Sequence, residues 1–327
     1  MRISDNAFSA NFISNVNLNK NRINDLQNQL SSGLQFTAPS ERPIDGDLLI
    51  HVRELQDRND QYTSNIESAS EYLGQTSNAL SQMVDLYQQV VDTVAQVGRP
   101  GAIRDYPTYS DTLDGLVKRL ISLANTSYNG KYLFGGTQTI ATDDAATPYQ
   151  LDDSSVDLAD NFTVSRGTDL TDNSDENEIK IPVGEGIDSR MNVSGKSVFG
   201  QDGQAFTNII DIVSAMDEAY QGIDPTDSGT LVGIDPEDFK TYMANVRQSL
   251  DNLISQNQTV GLDLETLDTL HSKITDDKNS LEQLRSSRQD TDIASTVVEL
   301  NKQQVQLEAA YKMGANILPK SLVNFLH

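Results

Sequence analysis

Three histidines are the side chains in this sequence best suited to bind a transition metal or to act as a general base. They are His51, His271 and His327, and none lies among neighbours that suggest a zinc site. The chain has no cysteine, so thiolate ligands, disulfides and cysteine nucleophiles are excluded. His271 falls at an apolar repeat position of a long predicted helix, where a packed or half-exposed side chain is expected. The histidines therefore predict no metal or catalytic site.

Two stretches imitate a phosphate-binding and a calcium-binding loop. The Gly-Lys-Ser triplet at 195–197 lacks the glycine that a phosphate loop needs five residues earlier, because Arg190 stands there. The stretch 224–235 offers two carboxylates at ligand positions where strong calcium loops offer four, and it ends in Asp235 instead of glutamate. We interpret it as a turn followed by a helix cap, and the acidic stretch 169–178 as a solvated loop. The sequence predicts no metal, no cofactor and no enzymatic activity.

The charge narrows the classes of function further. The 327 residues include 48 acidic and 24 basic ones, a net charge of −24. Such a charge repels nucleic-acid phosphates and anionic lipids, so we expect no nucleic-acid binding and no adsorption to membranes. No apolar run approaches the ~20 residues of a membrane span. The first residues lack the apolar core of a signal peptide, so any export is expected to proceed without signal cleavage.

The most regular element is a seven-residue repeat at 48–97, in which apolar residues recur in alternating steps of four and three. Asn59 and Thr76 interrupt its chemistry but not its spacing. Such a repeat keeps one helix face apolar over a length of about 75 Å and therefore requires partner helices alongside. A second repeat at 236–287 is the expected partner, with a shorter helix at 105–128 packed beside the pair.

Helical periodicity disappears at 137–202, between the two repeats. Short extended stretches are expected there at 161–165, 178–183 and 197–199, separated by acidic and glycine-rich turns. The predicted fold class is mainly α with a small β domain. A long antiparallel coiled-coil or helical-bundle rod is built from both chain ends, and a β-rich head is inserted in the middle.

A proline-bracketed connector precedes the first repeat. Pro39 and Pro43 forbid one continuous helix through this region. Asp45 or Asp47 is expected to cap the helix that follows.

Weaker repeats occupy both chain ends. Asn19 interrupts the first, and Gln304 and Gly314 interrupt the second. Such repeats are marginal alone, so we expect them to pair with neighbouring subunits and to order on assembly. The predicted self-assembly seam consists of Phe12, Val16, Ile23, Leu26, Leu30, Ile293, Val297, Leu300, Leu307, Tyr311, Leu318, Leu322 and Phe325.

Dispersed motifs resemble those of the flagellin-type axial proteins of bacteria. In chain order they are Leu30-Ser31-Ser32-Gly33, Ala38-Pro39-Ser40-Glu41-Arg42-Pro43, Leu123-Ala124-Asn125-Thr126, Asn129-Gly130-Lys131-Tyr132-Leu133-Phe134-Gly135-Gly136-Thr137, Asp290-x-Asp292-Ile293-Ala294 and Ser321-Leu322-Val323-Asn324-Phe325-Leu326. The proline-flanked motif is similar to that of the family members that join hook to filament. One departure is Glu41-Arg42, where the family usually shows an acidic pair. The resemblance covers about 1–137 and 203–327.

The resemblance implies an extracellular structural protein of the bacterial flagellum, exported through the flagellar type III pathway without a cleaved signal peptide. The implied domains are a terminal coiled-coil assembly domain (1–45 with 288–327), a helical rod (46–136 with 203–287) and a β-rich outer head (137–202). The implied termini are disordered in the monomer and fold when subunits assemble.

The implied partners are further copies in a homo-oligomeric ring, a neighbouring hook-associated protein, flagellin, and an export chaperone at the C-terminal helix. The nearest alternative is flagellin itself, the filament subunit. The short chain, the proline-bracketed connector and the ending Phe325-Leu326 favour the junction. A cytoplasmic helical adaptor is an alternative from another class, but it would have no reason to avoid cysteine or to carry a β module.

Overall fold

A computed structural model describes residues 2–99, 101–136, 148–152, 163–166, 178–200, 203–221 and 233–323. Its helices are α1 Arg2–Ser32, α2 Pro43–Val97, α3 Tyr106–Ala124, α4 Gly195–Phe199, α5 Gln204–Gln221, α6 Pro236–Gln289 and α7 Ile293–Val323. Its strands are β1 Ser127–Tyr128, β2 Lys131–Tyr132, β3 Tyr149–Asp152, β4 Thr163–Arg166, β5 Lys180–Gly184 and β6 Ile187–Arg190. The predicted fold class, mainly α with a small strand-containing part, is confirmed.

The chain forms two compact units. One combines Met1–Asn59 with Thr275–His327 and is called the terminal unit below. The other, Asp60–Ile274, is called the middle unit. These limits come from packing alone, and the three-domain division implied by the resemblance stays a prediction.

The long repeat of α2 forms the centre of the middle unit. Every repeat position from Ile66 to Val97 is buried. Thr76 is among them, and its hydroxyl donates to the Tyr72 carbonyl at 2.9 Å, so a polar side chain is tolerated inside the seam. The burial of this row shows that partner helices surround α2 as the repeat predicts.

One partner of α2 in this unit is α6, which buries one residue in every seven. These residues are Val246, Leu253, Val260, Leu267 and Ile274. The two helices run antiparallel, because a Cβ atom at Gly98 would meet the Phe239 ring, whereas Asn257 bonds Ser77 and Ser81 at 3.1 Å each.

Helices α3 and α5 complete the core of the middle unit. Helix α3 buries an apolar face that includes Leu113, Leu116 and Leu120. Helix α5 buries Phe206 and Ile209. The two helices pack on each other and on α2 in one continuous apolar cluster.

The described strands form three separate antiparallel pairs, β1–β2, β3–β4 and β5–β6. The β1–β2 turn is Asn129-Gly130, whose φ angles of 49° and 74° suit a tight hairpin. The extended stretch expected at 178–183 overlaps β5, and the one expected at 161–165 overlaps β4. Residues 137–147, 153–162 and 167–177 of the expected head lie outside the described residues.

The extended stretch expected at 197–199 is wrong, because these residues belong to helix α4. Ser194 caps this helix, with its Oγ accepting from the Lys196 N–H at 3.2 Å. Gly200 ends it with a φ of 79°. A five-residue helix has too little periodicity to be distinguished from a strand by pattern.

An aromatic cluster joins α4, α5 and strand β3. The ring of Phe199 lies 5.3 Å from that of Phe134, 5.1 Å from that of Tyr149 and 4.9 Å from that of Phe206. The backbone N–H of Gly195 donates to the Phe134 carbonyl at 3.1 Å. These contacts attach the strand-containing segment to the helices of the middle unit.

Candidate assembly interface

Helices α1 and α7 pair along their length in the terminal unit. A Cβ atom at Gly314 would lie 2.7 Å from the Phe12 ring, near one end of the pair. At the other end, Leu34 forms an antiparallel bridge with Asp290. The two chain ends therefore run antiparallel and in close contact.

The α1 half of the predicted seam faces this contact. Ile23 is buried, and Phe12, Val16, Leu26 and Leu30 are half-buried. Alternating steps of four and three keep these side chains on one side of the helix. Their position favours a role in pairing with α7.

The predicted seam residues of α7 fall into a half-buried group and an exposed group. Leu300 and Leu307 are half-buried. By contrast, Ile293, Val297 and Tyr311 are 61%, 39% and 47% exposed. Phe325 and the side chains of Leu318 and Leu322 lie outside the described residues.

Sequence reasoning missed the residues of α7 that lie deepest against the terminal unit. Thr296 and Gln303 are buried, and so is Gly314, which the repeat had marked as a weak point. The Gln303 amide nitrogen donates to the Glu299 carboxylate at 2.7 Å, so this buried nitrogen has a hydrogen-bond partner. Thr296 and Gln303 are each displaced by one residue from the repeat positions Val297 and Gln304, whereas Gly314 lies on the repeat. A search for apolar spacing cannot detect the first two because they are polar.

An apolar surface is left exposed on the α1–α7 pair. We call it the outer face, and its members are Ile13, Leu18, Ile293, Val297, Val298, Val305, Tyr311 and Met313, each between 39% and 68% exposed. These side chains are spread around α1 and α7, and exposed large apolar residues in such number on two paired helices favour contacts with other proteins. The ammonium group of Lys20 lies 5.8 Å from the centre of the Tyr311 ring, at the edge of this surface.

The proline-bracketed connector is bound to the α6–α7 junction. Gly33, in a left-handed conformation with φ of 74°, ends α1 and accepts from the Thr291 N–H at 2.8 Å. The backbone N–H of Gln35 donates to the Gln289 carbonyl at 2.7 Å, and its side chain donates to the Asp290 carbonyl at 2.9 Å. The two motifs that the resemblance placed at opposite ends of the chain are thus in direct contact.

The expected cap of α2 by Asp45 or Asp47 is wrong. The helix begins at Pro43, since proline suits the first helical turn. Asp45 lies within that turn and forms ion pairs with Arg42 at 3.7 Å and Arg288 at 3.6 Å. It therefore connects the start of α2 to the end of α6 within the terminal unit.

Two carboxylates in the terminal unit have lowered pKa values. Hydrogen bonds from Arg285 and Gln56 lower the pKa of Glu282 to about 2. The hydrogen bond from Gln303 lowers the pKa of Glu299. Both groups are charged near neutral pH and hold positions beside the helix contacts.

Charge is distributed unequally between the two units. The terminal unit has 12 basic and 14 acidic residues, a net charge of −2. The middle unit has 12 basic and 34 acidic residues, a net charge of −22. Copies of the terminal unit can therefore approach each other with little repulsion, whereas copies of the middle unit repel.

The residues first considered for chemistry do not form a site in the described ranges. His51 is exposed beside Glu54 at 3.7 Å, and His271 is half-buried on α6. Asp235 accepts from the Glu237 N–H at 2.8 Å and caps α6, as expected. No group of three or more potential metal ligands occurs among the described residues. No helix there combines the length and apolarity needed to cross a membrane.

Comparison with known proteins first gives a similarity to bacterial flagellins. The family model of the bacterial flagellin N-terminal helical region matches residues 3–139. This match contains α1, the connector, α2 and α3, and so it spans parts of both units.

A second similarity is more specific, because it extends along nearly the whole chain. The chain is 25% identical over 332 residues to flagellar hook-associated protein 3 of Salmonella typhimurium, covering 98% of each chain. The resemblance drawn from the sequence motifs is thereby confirmed.

Two solved structures share the fold. A putative flagellar hook-associated protein from Vibrio parahaemolyticus has 15% identity and a TM-score of 0.57, covering 76% of this chain and all of its own. The flagellar junction protein FlgL from Legionella pneumophila has 12% identity and a TM-score of 0.55, covering 74% of this chain and 99% of its own.

Proposed function

We propose that this chain is a structural subunit of the bacterial flagellum that forms the junction between hook and filament. The similarity to hook-associated protein 3 along nearly the whole chain supports this function. The observation that carries the mechanism is the outer face of the α1–α7 pair. In this mechanism α1 and α7 bind each other within a subunit, and the outer face binds the next one.

Ten of the 13 predicted seam residues have one of two roles in this proposal. Those of α1, together with Leu300 and Leu307, hold the two chain ends together. Ile293, Val297 and Tyr311 belong to the outer face and contact a neighbouring copy. The near-neutral charge of the terminal unit favours close packing of copies in a ring, whereas the charge of the acidic middle units opposes it.

The proposed partners are further copies of this chain, a neighbouring hook-associated protein, flagellin and an export chaperone at the C-terminal helix. The proposed location is the extracellular flagellum, reached through the flagellar export pathway. The proposed division of labour is an assembly domain (1–45 with 288–327), a rod (46–136 with 203–287) and an outer head (137–202). The role is structural, with no catalysis.

A deletion strain tests the function. Cells without this chain are expected to build hooks and to shed unassembled flagellin into the medium, and a plasmid-borne copy should restore filaments. Normal filaments in the deletion strain would overturn the junction role. If this chain were flagellin, purified filaments would consist mainly of it.

Two variants of the plasmid-borne copy test the outer face. Val298→Lys with Val305→Lys places charges at positions that are 68% and 67% exposed, so the helix itself should persist. This double variant is expected to be exported but not to restore filaments. Gln306→Lys is the matched control on the same helix and should restore them. Full restoration by the double variant would contradict a role of the outer face in assembly.

A further inference from the structure

A cavity of about 370 Å³ lies in the middle unit, between α4, α5 and α6. Val198, Phe199 and Ala205 lie at its base, and each is at most 2% exposed. Its polar side is formed by five carboxamides and one hydroxyl, from Gln204, Asn208, Asn245, Gln248, Ser249 and Asn252. The described lining contains no charged side chain, although the unit around it has a net charge of −22.

Hydrogen bonds fix the orientation of two of these amides. The Asn252 amide nitrogen donates to the carbonyls of Ser197 at 2.9 Å and Val198 at 2.8 Å. The Asn208 amide nitrogen donates to the Ser249 hydroxyl at 3.0 Å and to the Asn245 carbonyl at 3.4 Å. Because both hydrogens of each amide are used, the capacity that remains at Asn208 and Asn252 is that of acceptor oxygens.

The two glutamines supply adaptable groups at the mouth of the cavity. Gln204 and Gln248 are exposed, so the cavity opens to solvent beside them. The Gln204 side chain lies over Gly200, where a Cβ atom would come within 2.9 Å of its Oε1. Each glutamine amide can both donate and accept, and neither is held by a hydrogen bond among the described residues.

We propose that this cavity binds a small neutral saccharide. Hydroxyl groups of the sugar donate to the fixed asparagine oxygens and accept from the glutamine amides. The volume lies at the lower end of the range of small-molecule sites, which suits one or two sugar rings. This site is separate from the terminal helices and does not depend on the proposed junction role.

The same chemistry disfavours charged ligands. The described lining has no lysine or arginine to bind an anion, and the surrounding negative charge repels one. It has no carboxylate to bind a divalent cation. A ligand that is uncharged and carries both donors and acceptors is therefore the class that fits.

Ligand-observed NMR on the full chain tests the proposal, with N-acetylglucosamine and maltose as probes and phosphate and acetamide as comparison compounds. At least one sugar is expected to bind with a Kd in the range of about 1–10 mM. Absence of binding by both sugars at about 50 mM, or equal binding by phosphate or acetamide, would overturn the proposal.

Substitutions in the cavity lining test whether the sugar binds there. Gln204→Ala with Gln248→Ala removes two exposed amides from helices that alanine favours, so the fold should persist. Sugar binding should weaken by about tenfold, as expected for the loss of two hydrogen bonds. Gln258→Ala, an exposed glutamine of α6 outside the cavity lining, is the matched control and should bind as the unmodified chain does. An unchanged Kd in the double variant would place the sugar elsewhere and overturn the site.

Discussion

Gly195 is the position at which adding a single methyl group should destabilise the middle unit most clearly. A Cβ atom there would overlap the Tyr149 hydroxyl oxygen and lie 2.7 Å from the carbonyl oxygen of Phe134. Tyr149 is 2% exposed and Phe134 is fully buried, so neither neighbour has free space to enter. The Phe134 carbonyl is a backbone atom that also accepts from the Gly195 N–H. Gly195→Ala must therefore displace α4.

The loss of stability expected for Gly195→Ala can be estimated from the contacts of the added methyl group. Overpacking of a buried site costs about 1–3 kcal/mol, and weakening the backbone hydrogen bond adds about 1 kcal/mol. The higher helix propensity of alanine returns less than about 1 kcal/mol at the first turn. We expect the free energy of unfolding to fall by about 2–3 kcal/mol, which lowers Tm by about 5–10 °C in a unit of this size.

Thermal unfolding followed by circular dichroism is the assay, with Gly261→Ala as the matched control. Gly261 lies inside α6, and its Cβ position has no heavy atom within 4 Å. Alanine should therefore stabilise the helix there and raise Tm by about 2–4 °C. The expected result is that Gly195→Ala lowers Tm and Gly261→Ala raises it. A Gly195→Ala variant as stable as the unmodified chain would refute the packing described here.

Three further predictions concern individual polar groups. Burial raises the pKa of Tyr72 to about 12, and its hydroxyl donates to the Tyr132 carbonyl at 2.7 Å. Tyr72→Phe should thus lower the free energy of unfolding in urea by about 1 kcal/mol. For Glu282, whose pKa is lowered to about 2, Arg285→Met should raise the pKa towards its ordinary value in a carboxyl NMR titration. Burial raises the pKa of Asp217, so Asp217→Asn should increase Tm at neutral pH.

Glu282 and Asp217 affect the pH dependence of stability in opposite directions. Because the pKa of Glu282 is lowered on folding, its favourable contribution is present above the unfolded value of 4.5 and is lost as the pH falls towards 2. Because the pKa of Asp217 is raised, the advantage of asparagine should shrink as the solution is acidified through the carboxyl range. A pKa of Glu282 that is unaffected by Arg285→Met, or a growing advantage of Asp217→Asn in acid, would contradict these assignments. Unchanged stability of Tyr72→Phe in urea would contradict the contribution assigned to the Tyr72 hydrogen bond.

The long repeat of α2 was predictable because one physical effect dominates it. Each repeat position from Ile66 to Val97 is buried, as spacing alone predicts. The partner, α6, was also predictable from its own repeat. Leu55 lies on the same repeat but is 39% exposed, so spacing does not by itself guarantee a covering neighbour.

Short elements and buried polar contacts were less predictable. The helix α4 depends on a serine cap and a glycine stop around five residues, and three of those residues had been interpreted as extended. The amide-lined cavity is formed by residues separated by more than 40 positions in the chain, such as Asn208 and Asn252. No local pattern in the sequence marks such a cluster.

The seam of the terminal helices shows what the sequence determines and what the tertiary structure determines. The sequence by itself determined that both ends are helical, periodic and weakly apolar, because helix periodicity is a local property. Only the tertiary structure decided which residues of α7 pack inward, because Thr296 is buried beside the exposed Val297, Gln303 beside the exposed Gln304, and Gly314 beside the exposed Met313. Small or hydrogen-bonded side chains let two helices approach closely, as at Gly314 and Phe12. The larger apolar residues displaced from that contact then form the outer face.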